Sequence, residues 1–258
     1  MARIVSRSRR FSLLVISAAL CVSAVVAAPA LASAAHHPGQ HVEPVRPGSS
    51  YLALGDSVSF GYREPANLPT PDYSNAAKFV GFTEDVGAAL KLRVANAASQ
   101  LQYAEVFLAR HRDTRLVTLM IGANGGFLCQ ATTKDSCASE LPGVLARVAA
   151  NVSTTLRTVR QHYRGQIVIV NYYSTDYRSA TQNASSQALN TAMDSAAKPY
   201  GVTVADGYGT FQRAAAQAGG DTCAAGLLTT LSTGGCGVHP SVGGQSLLAL
   251  AVEKAIRR

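Results

Sequence analysis

Residues 166–171, QIVIVN, are apolar and β-branched through most of their length. A strand with no polar face must be covered on both faces, which favours a parallel sheet between helices over an open antiparallel one. Four further segments read as strands: YLAL (51–54), RVAN (93–96), RLVTLMIG (115–122) and GVTVAD (201–206). Between and after them, 82–92, 103–111, 141–163, 185–200 and 243–256 carry apolar residues at helical spacing. Strand and helix alternate, so the expected class is α/β: a three-layer α/β/α sandwich around a roughly five-stranded parallel sheet. In such folds ligands bind at the carboxyl ends of the strands. The residues just after each strand are therefore the first candidates for chemistry.

The first fifty residues are not part of that pattern. Arg3, Arg7, Arg9 and Arg10 precede an apolar run, Phe11 to Val26, and then the small-residue stretch APALASAA. That is the layout of a secretory signal peptide over 1–34, and the run is short for a membrane span. SRRFSL weakly resembles a twin-arginine signal, with general secretion the default. Residues 35–50 read as a disordered leader whose histidines form a solvated tail. Residues 51–258 then form one domain, with no stable membrane span after cleavage.

Export reframes the charge and the cysteines. Four arginines and no acids leave with the signal, taking the formal charge from +8 to +4. No basic cluster remains, which argues against a nucleic-acid partner. Cys21 also leaves, and the remaining four fall as two near pairs, Cys129 with Cys137 and Cys223 with Cys236. An even count in an exported chain suggests disulfides. Of three connectivities the two local ones are favoured, each closing a short loop outside regular structure. Cys236-x-x-His239 has metal-ligand spacing but no matching second pair, so no metal is expected.

Three polar residues stand out at the strand ends and the C-terminus. Ser57 follows the first strand, where it is either a helix N-cap or an exposed nucleophile whose own N–H faces the crevice. Asn124 follows the third strand among glycines, as a turn residue or as an oxyanion donor. His239 precedes Pro240 in a glycine-rich loop, GGCGVHPSVGG (234–244), before the last helix. Histidine is the usual base for a serine nucleophile. Tyr172, Tyr173 and Tyr177 come after the fourth strand, where they line a pocket or pack the core.

Taken in order, LALGDSVSFGY (52–62), IGANGG (121–126) and VHPSVGG (238–244) resemble the first, third and last blocks of the SGNH/GDSL hydrolases. GFTEDVGAALKLRVANAA (81–98) is similar to secreted actinobacterial members. The resemblance implies a flavodoxin-like SGNH fold and a secreted esterase or lipase acting on a small-molecule or lipid ester without a cofactor. It implies Ser57 as nucleophile, His239 as base, and Asn124 with the Ser57 N–H as oxyanion donors.

Three positions depart from the family pattern. The second-block region after Asn96, AASQLQY, has no glycine, and Gly125 replaces an aspartate in the third block. Cys236 occupies the place of the acid in Asp-x-x-His. Loss of the acid costs about 10⁴ in kcat when the histidine tautomer is wrong. A backbone carbonyl could accept the second ring proton, giving a Ser-His dyad, or Asp206 or Asp221 could supply the carboxylate. Otherwise the chain is a catalytically impaired binding protein on the same fold.

Overall fold

The computed structural model describes residues 42–63, 81–91, 93–95 and 100–256. The expected signal segment, most of the leader and the second-block residues 96–99 lie outside them.

The elements run β1 (Ser50–Gly55), α1 (Phe82–Ala89), β2 (Arg93–Ala95), α2 (Gln100–Arg110), β3 (Thr114–Met120), α3 (Ala123–Thr132), α4 (Leu141–His162), β4 (Gln166–Val170), α5 (Ala180–Ala197), β5 (Thr203–Ala205), α6 (Gly207–Ala215), β6 (Leu228–Thr230), β7 (Cys236–Pro240) and α7 (Val242–Ala255). The first five strands form one parallel sheet in the order β2-β1-β3-β4-β5. The chain leaves β1 toward one edge and returns through β3 on the other side. The β1/β3 boundary is therefore the switch point, where a crevice opens at the strand ends.

The apolar strands are buried as their composition requires. Leu52, Leu116, Leu119, Ile167, Val168, Ile169 and Val170 are at most 1% exposed. Helices α1, α6 and α7 pack together over one part of the sheet, and α2, α4 and α5 pack in a second group. In α4, Val144, Val148, Val152, Leu156 and Val159 are buried, steps of four, four, four and three that keep one stripe toward the sheet. Pro142 sits in its first turn, where a missing N–H leaves no helical bond unmade.

Several expectations are corrected. The packed part begins before Tyr51: Val45 is buried, and the Glu43 carbonyl accepts from Gln166 Nε2. Helix α5 begins at Ala180 rather than at 185, because the Ser179 side chain caps it by accepting from Gln182 N. The glycines after β3 open a helix, α3, rather than a loop. Both local disulfides form, Cys129–Cys137 and Cys223–Cys236, but Cys129 lies inside α3 and Cys236 inside β7. His239 sits in a strand, not a glycine-rich loop: β7 pairs antiparallel with β6. Helix α6 and this hairpin are additions that periodicity did not reveal.

Candidate active site

The end of β1 sets the nucleophile's position. Asp56 N donates to Met120 O at 3.0 Å, so the chain follows β3 one residue past the strand. A Cβ on Gly55 would lie 1.9 Å from Ser59 Oγ and 2.8 Å from the Met120 carbonyl oxygen. Only glycine fits that approach. The outer side of Gly55 is closed by Gln100 at the start of α2. Gln100 Oε1 accepts from Gly55 N at 2.7 Å and its Nε2 donates to Gly55 O at 2.6 Å, completing the sheet with a side chain. Gln245 of α7, 2% exposed, donates to Val58 O and accepts from Phe82 N.

Ser57 lies in the turn after β1, and its hydroxyl caps no described helix. Its Oγ is 2.8 Å from His239 Nε2. The two residues are 182 positions apart in the chain.

His239 is braced through its strand. Thr229 Oγ1 of β6 donates to its carbonyl, Tyr173 Oη donates to the Val238 carbonyl at 2.7 Å, and Tyr62 meets the ring edge-on with centroids 4.6 Å apart. The disulfide to Cys223 holds the start of β7. Just beyond Pro240, Ser241 caps α7 by accepting from Gly244 N and donates to Gly226 O at 2.6 Å. The Cys236 sulfur is thus bonded to Cys223 rather than available as a metal-binding thiolate.

Asn124 stands in the first turn of α3, after Gly122, whose φ of +130° is open to glycine but strained for other residues. It lines a cavity of about 420 Å³ together with Asp56, Ser57, Tyr172, Tyr173 and His239. Tyr172 and Tyr173 stand between pocket and core, being buried and facing this cavity. Tyr177 instead bonds the Tyr208 carbonyl and does not line it.

The two carboxylates considered as substitutes for the missing acid are engaged elsewhere. Asp206 caps α6, accepting from Gly209 N at 2.8 Å and pairing with Arg213. Asp221 pairs with Arg178 at 2.9 Å and accepts from Ala224 N. A different carboxylate lines the same cavity as His239: that of Asp56, the residue before the nucleophile. Burial raises its pKa, while the Tyr172 hydroxyl, the Val58 N–H and the charge of His239 pull the other way. Tyr172 Oη donates to Asp56 Oδ2. Burial and then the neighbouring Asp56 push the phenol well above its ordinary range, so it remains a donor. Asp56 was in plain view in Gly-Asp-Ser, but no local pattern shows which way its side chain turns.

The site thus combines a Ser–His pair, an asparagine at a helix start and a buried carboxylate around one cavity. The model of the GDSL-like lipase/acylhydrolase family matches residues 53–247. The chain belongs to this family. Two solved structures are similar to this GDSL protein in fold. Phospholipase A1 from Streptomyces albidoflavus NA297 is 19% identical, with 81% of this chain and 99% of that one covered and a TM-score of 0.59. A variant of an acetyl xylan esterase from Geobacillus stearothermophilus is 16% identical, with 82% and 95% covered and a TM-score of 0.55. No curated protein matches the chain.

Proposed function

We infer that this GDSL-family chain is an exported serine acylhydrolase that cleaves carboxylic esters with a Ser57–His239 pair. The observation that carries this reading is the 2.8 Å contact between Ser57 Oγ and His239 Nε2 at the wall of the cavity. In that role Nε2 is the unprotonated ring nitrogen. It takes the serine proton as Oγ bonds to the ester carbonyl carbon, and the carbonyl oxygen becomes an oxyanion. Asn124 and the Ser57 N–H are the donors for that oxyanion, a contribution of roughly 2.7–4 kcal/mol for one such donor. Collapse expels the alkoxide, which leaves as alcohol with the proton from Nε2. Water then gives a proton to His239 and its oxygen to the acyl carbon, releasing the acid and restoring Ser57.

Asp56, which lines the same cavity as His239, is assigned the electrostatic part of the missing acid. Its carboxylate favours the positive charge that develops on the His239 ring, while the fixed backbone of β7 orients that ring. The cavity combines Phe127, Leu189 and Val238 with Gln182, Ser185 and Ser186, a lining suited to an ester with a short apolar group and a polar remainder. The two similar structures, a phospholipase and an acetyl xylan esterase, are compatible with either a lipid or a sugar as the alcohol part. Export rests on the sequence of 1–34 together with the two disulfides.

Purified protein is expected to hydrolyse p-nitrophenyl acetate and to be labelled at Ser57 by a fluorophosphonate, with Ser57→Ala losing both. Equal turnover by wild type and Ser57→Ala would overturn the serine mechanism. A folded wild type that neither turns over nor labels would favour the alternative, a binding protein that has kept the fold and lost catalysis.

A further inference from the structure

The two tyrosines just after β4 each hold a different part of the site. Tyr172 Oη donates to Asp56, the residue before the nucleophile. Tyr173 Oη donates to the carbonyl of Val238, the residue before His239, at 2.7 Å. One dipeptide therefore reaches the residue immediately preceding the nucleophile and the residue immediately preceding the base.

The dipeptide is itself fixed. Asn190 of α5, 6% exposed, accepts from Tyr172 N at 2.7 Å and donates to Tyr172 O at 2.7 Å. The Tyr173 ring stacks on Phe211 of α6, with centroids 4.2 Å apart and planes 14° apart. The hydroxyls are thus carried on side chains with little freedom, rooted at the end of a central buried strand. Phenylalanine at either position would fill the same space, so packing alone does not require the hydroxyls.

The geometry points to Tyr172 and Tyr173 as positioning residues that set the register of the Ser57 turn against the His239 strand. They touch no reacting atom in this role and act through Asp56 and Val238. The inference rests on the hydrolase reading for its catalytic consequence. Its geometric content stands apart from that reading.

The test uses Tyr172→Phe and Tyr173→Phe in the whole protein, with Tyr200→Phe as control. Tyr200 loses a comparable hydroxyl contact, to Ser153 Oγ at 2.7 Å, away from the cavity. Either site variant is expected to lower kcat on p-nitrophenyl acetate about tenfold or more, because small displacements of a reacting pair are costly. KM should stay within about twofold, and Tyr200→Phe should keep wild-type kcat. In crystals of Tyr173→Phe, Ser57 Oγ and His239 Nε2 should separate beyond about 3.5 Å, outside hydrogen-bond reach. Wild-type kcat in both variants, a loss confined to KM, or an unchanged 2.8 Å contact in Tyr173→Phe would each overturn the inference. A wild type that hydrolyses no ester would refute the hydrolase reading alone, and the crystallographic distance would still decide this one.

Discussion

Asn190→Ala removes one side chain and leaves two buried backbone groups without partners. Asn190 bonds Tyr172 as a neighbouring strand would, accepting from its N–H and donating to its carbonyl, both at 2.7 Å. Tyr172 is buried, and the exposed edge of the sheet is out of reach for these two groups. An unsatisfied buried backbone group costs about 1–3 kcal/mol. The pair therefore predicts a loss of about 2–6 kcal/mol, a large part of the roughly 5–15 kcal/mol that holds an ordinary domain folded. A water entering the vacated space would bring the loss to the lower end of that range. The assay is urea unfolding followed by circular dichroism. With a slope of about 2 kcal/mol per molar urea, the midpoint should fall by roughly 1–3 M while the slope stays constant. Gln187→Ala is the control on the same helix, because its bond to Tyr208 Oη is exposed. It should stay within about 0.5 kcal/mol of wild type. Equal midpoints for Asn190→Ala and Gln187→Ala would refute the reasoning that this amide acts as a missing strand.

Replacing Cys223 and Cys236 together by serine opens a loop with a separation of 13 residues, a loss of about 3 kcal/mol by chain entropy. Esterase kcat should fall further than in the Cys129/Cys137 double variant, since only the former frees the strand of His239; comparing the two variants' kinetics checks it. Asp56→Asn should flatten the acid side of the stability profile. The folded carboxyl has a raised pKa, so its favourable contribution is complete below the unfolded value of about 4. It is lost as pH rises through the folded pKa, and thermal midpoints of the two proteins should diverge over that window in favour of the variant. The same variant should turn over esters more slowly at neutral pH, having lost the charge that supports the His239 imidazolium. Asp194→Asn should raise the thermal midpoint at neutral pH, because Asp194 is raised by burial alone and its Oδ1 has no hydrogen-bond partner; an unchanged or lower midpoint would contradict that.

The sheet was legible because most of its strands carry their own evidence. Continuous apolar runs at 51–54, 115–122 and 166–171 can be stable only between two covered faces, and β1, β3 and β4 are found there. Helices α4 and α7 were equally visible in their periodicity. The misses share a different cause. Helix α3, ANGGFLCQAT, has two glycines and a poor helical preference; its packing on α4 and the Cys129–Cys137 bond override that. Strand β7, CGVHP, has no alternation of its own and exists because β6 pairs with it.

The sequence by itself determined the α/β class, the two local disulfides and the three blocks bearing Ser57, Asn124 and His239. These come from periodicity, cysteine spacing and short motifs, all of which act over a few residues. Only the tertiary structure decided that Ser57 and His239 meet, that Asp56 rather than Asp206 or Asp221 lines the cavity with the base, and that Tyr172 and Tyr173 reach the site. The Ser57–His239, Tyr172–Asp56 and Tyr173–Val238 contacts join residues 182, 116 and 65 positions apart. A hydroxyl or carboxylate carries no local mark of its partner. Its direction is fixed when the sheet brings the strand ends together and the buried polar group must find a hydrogen bond there.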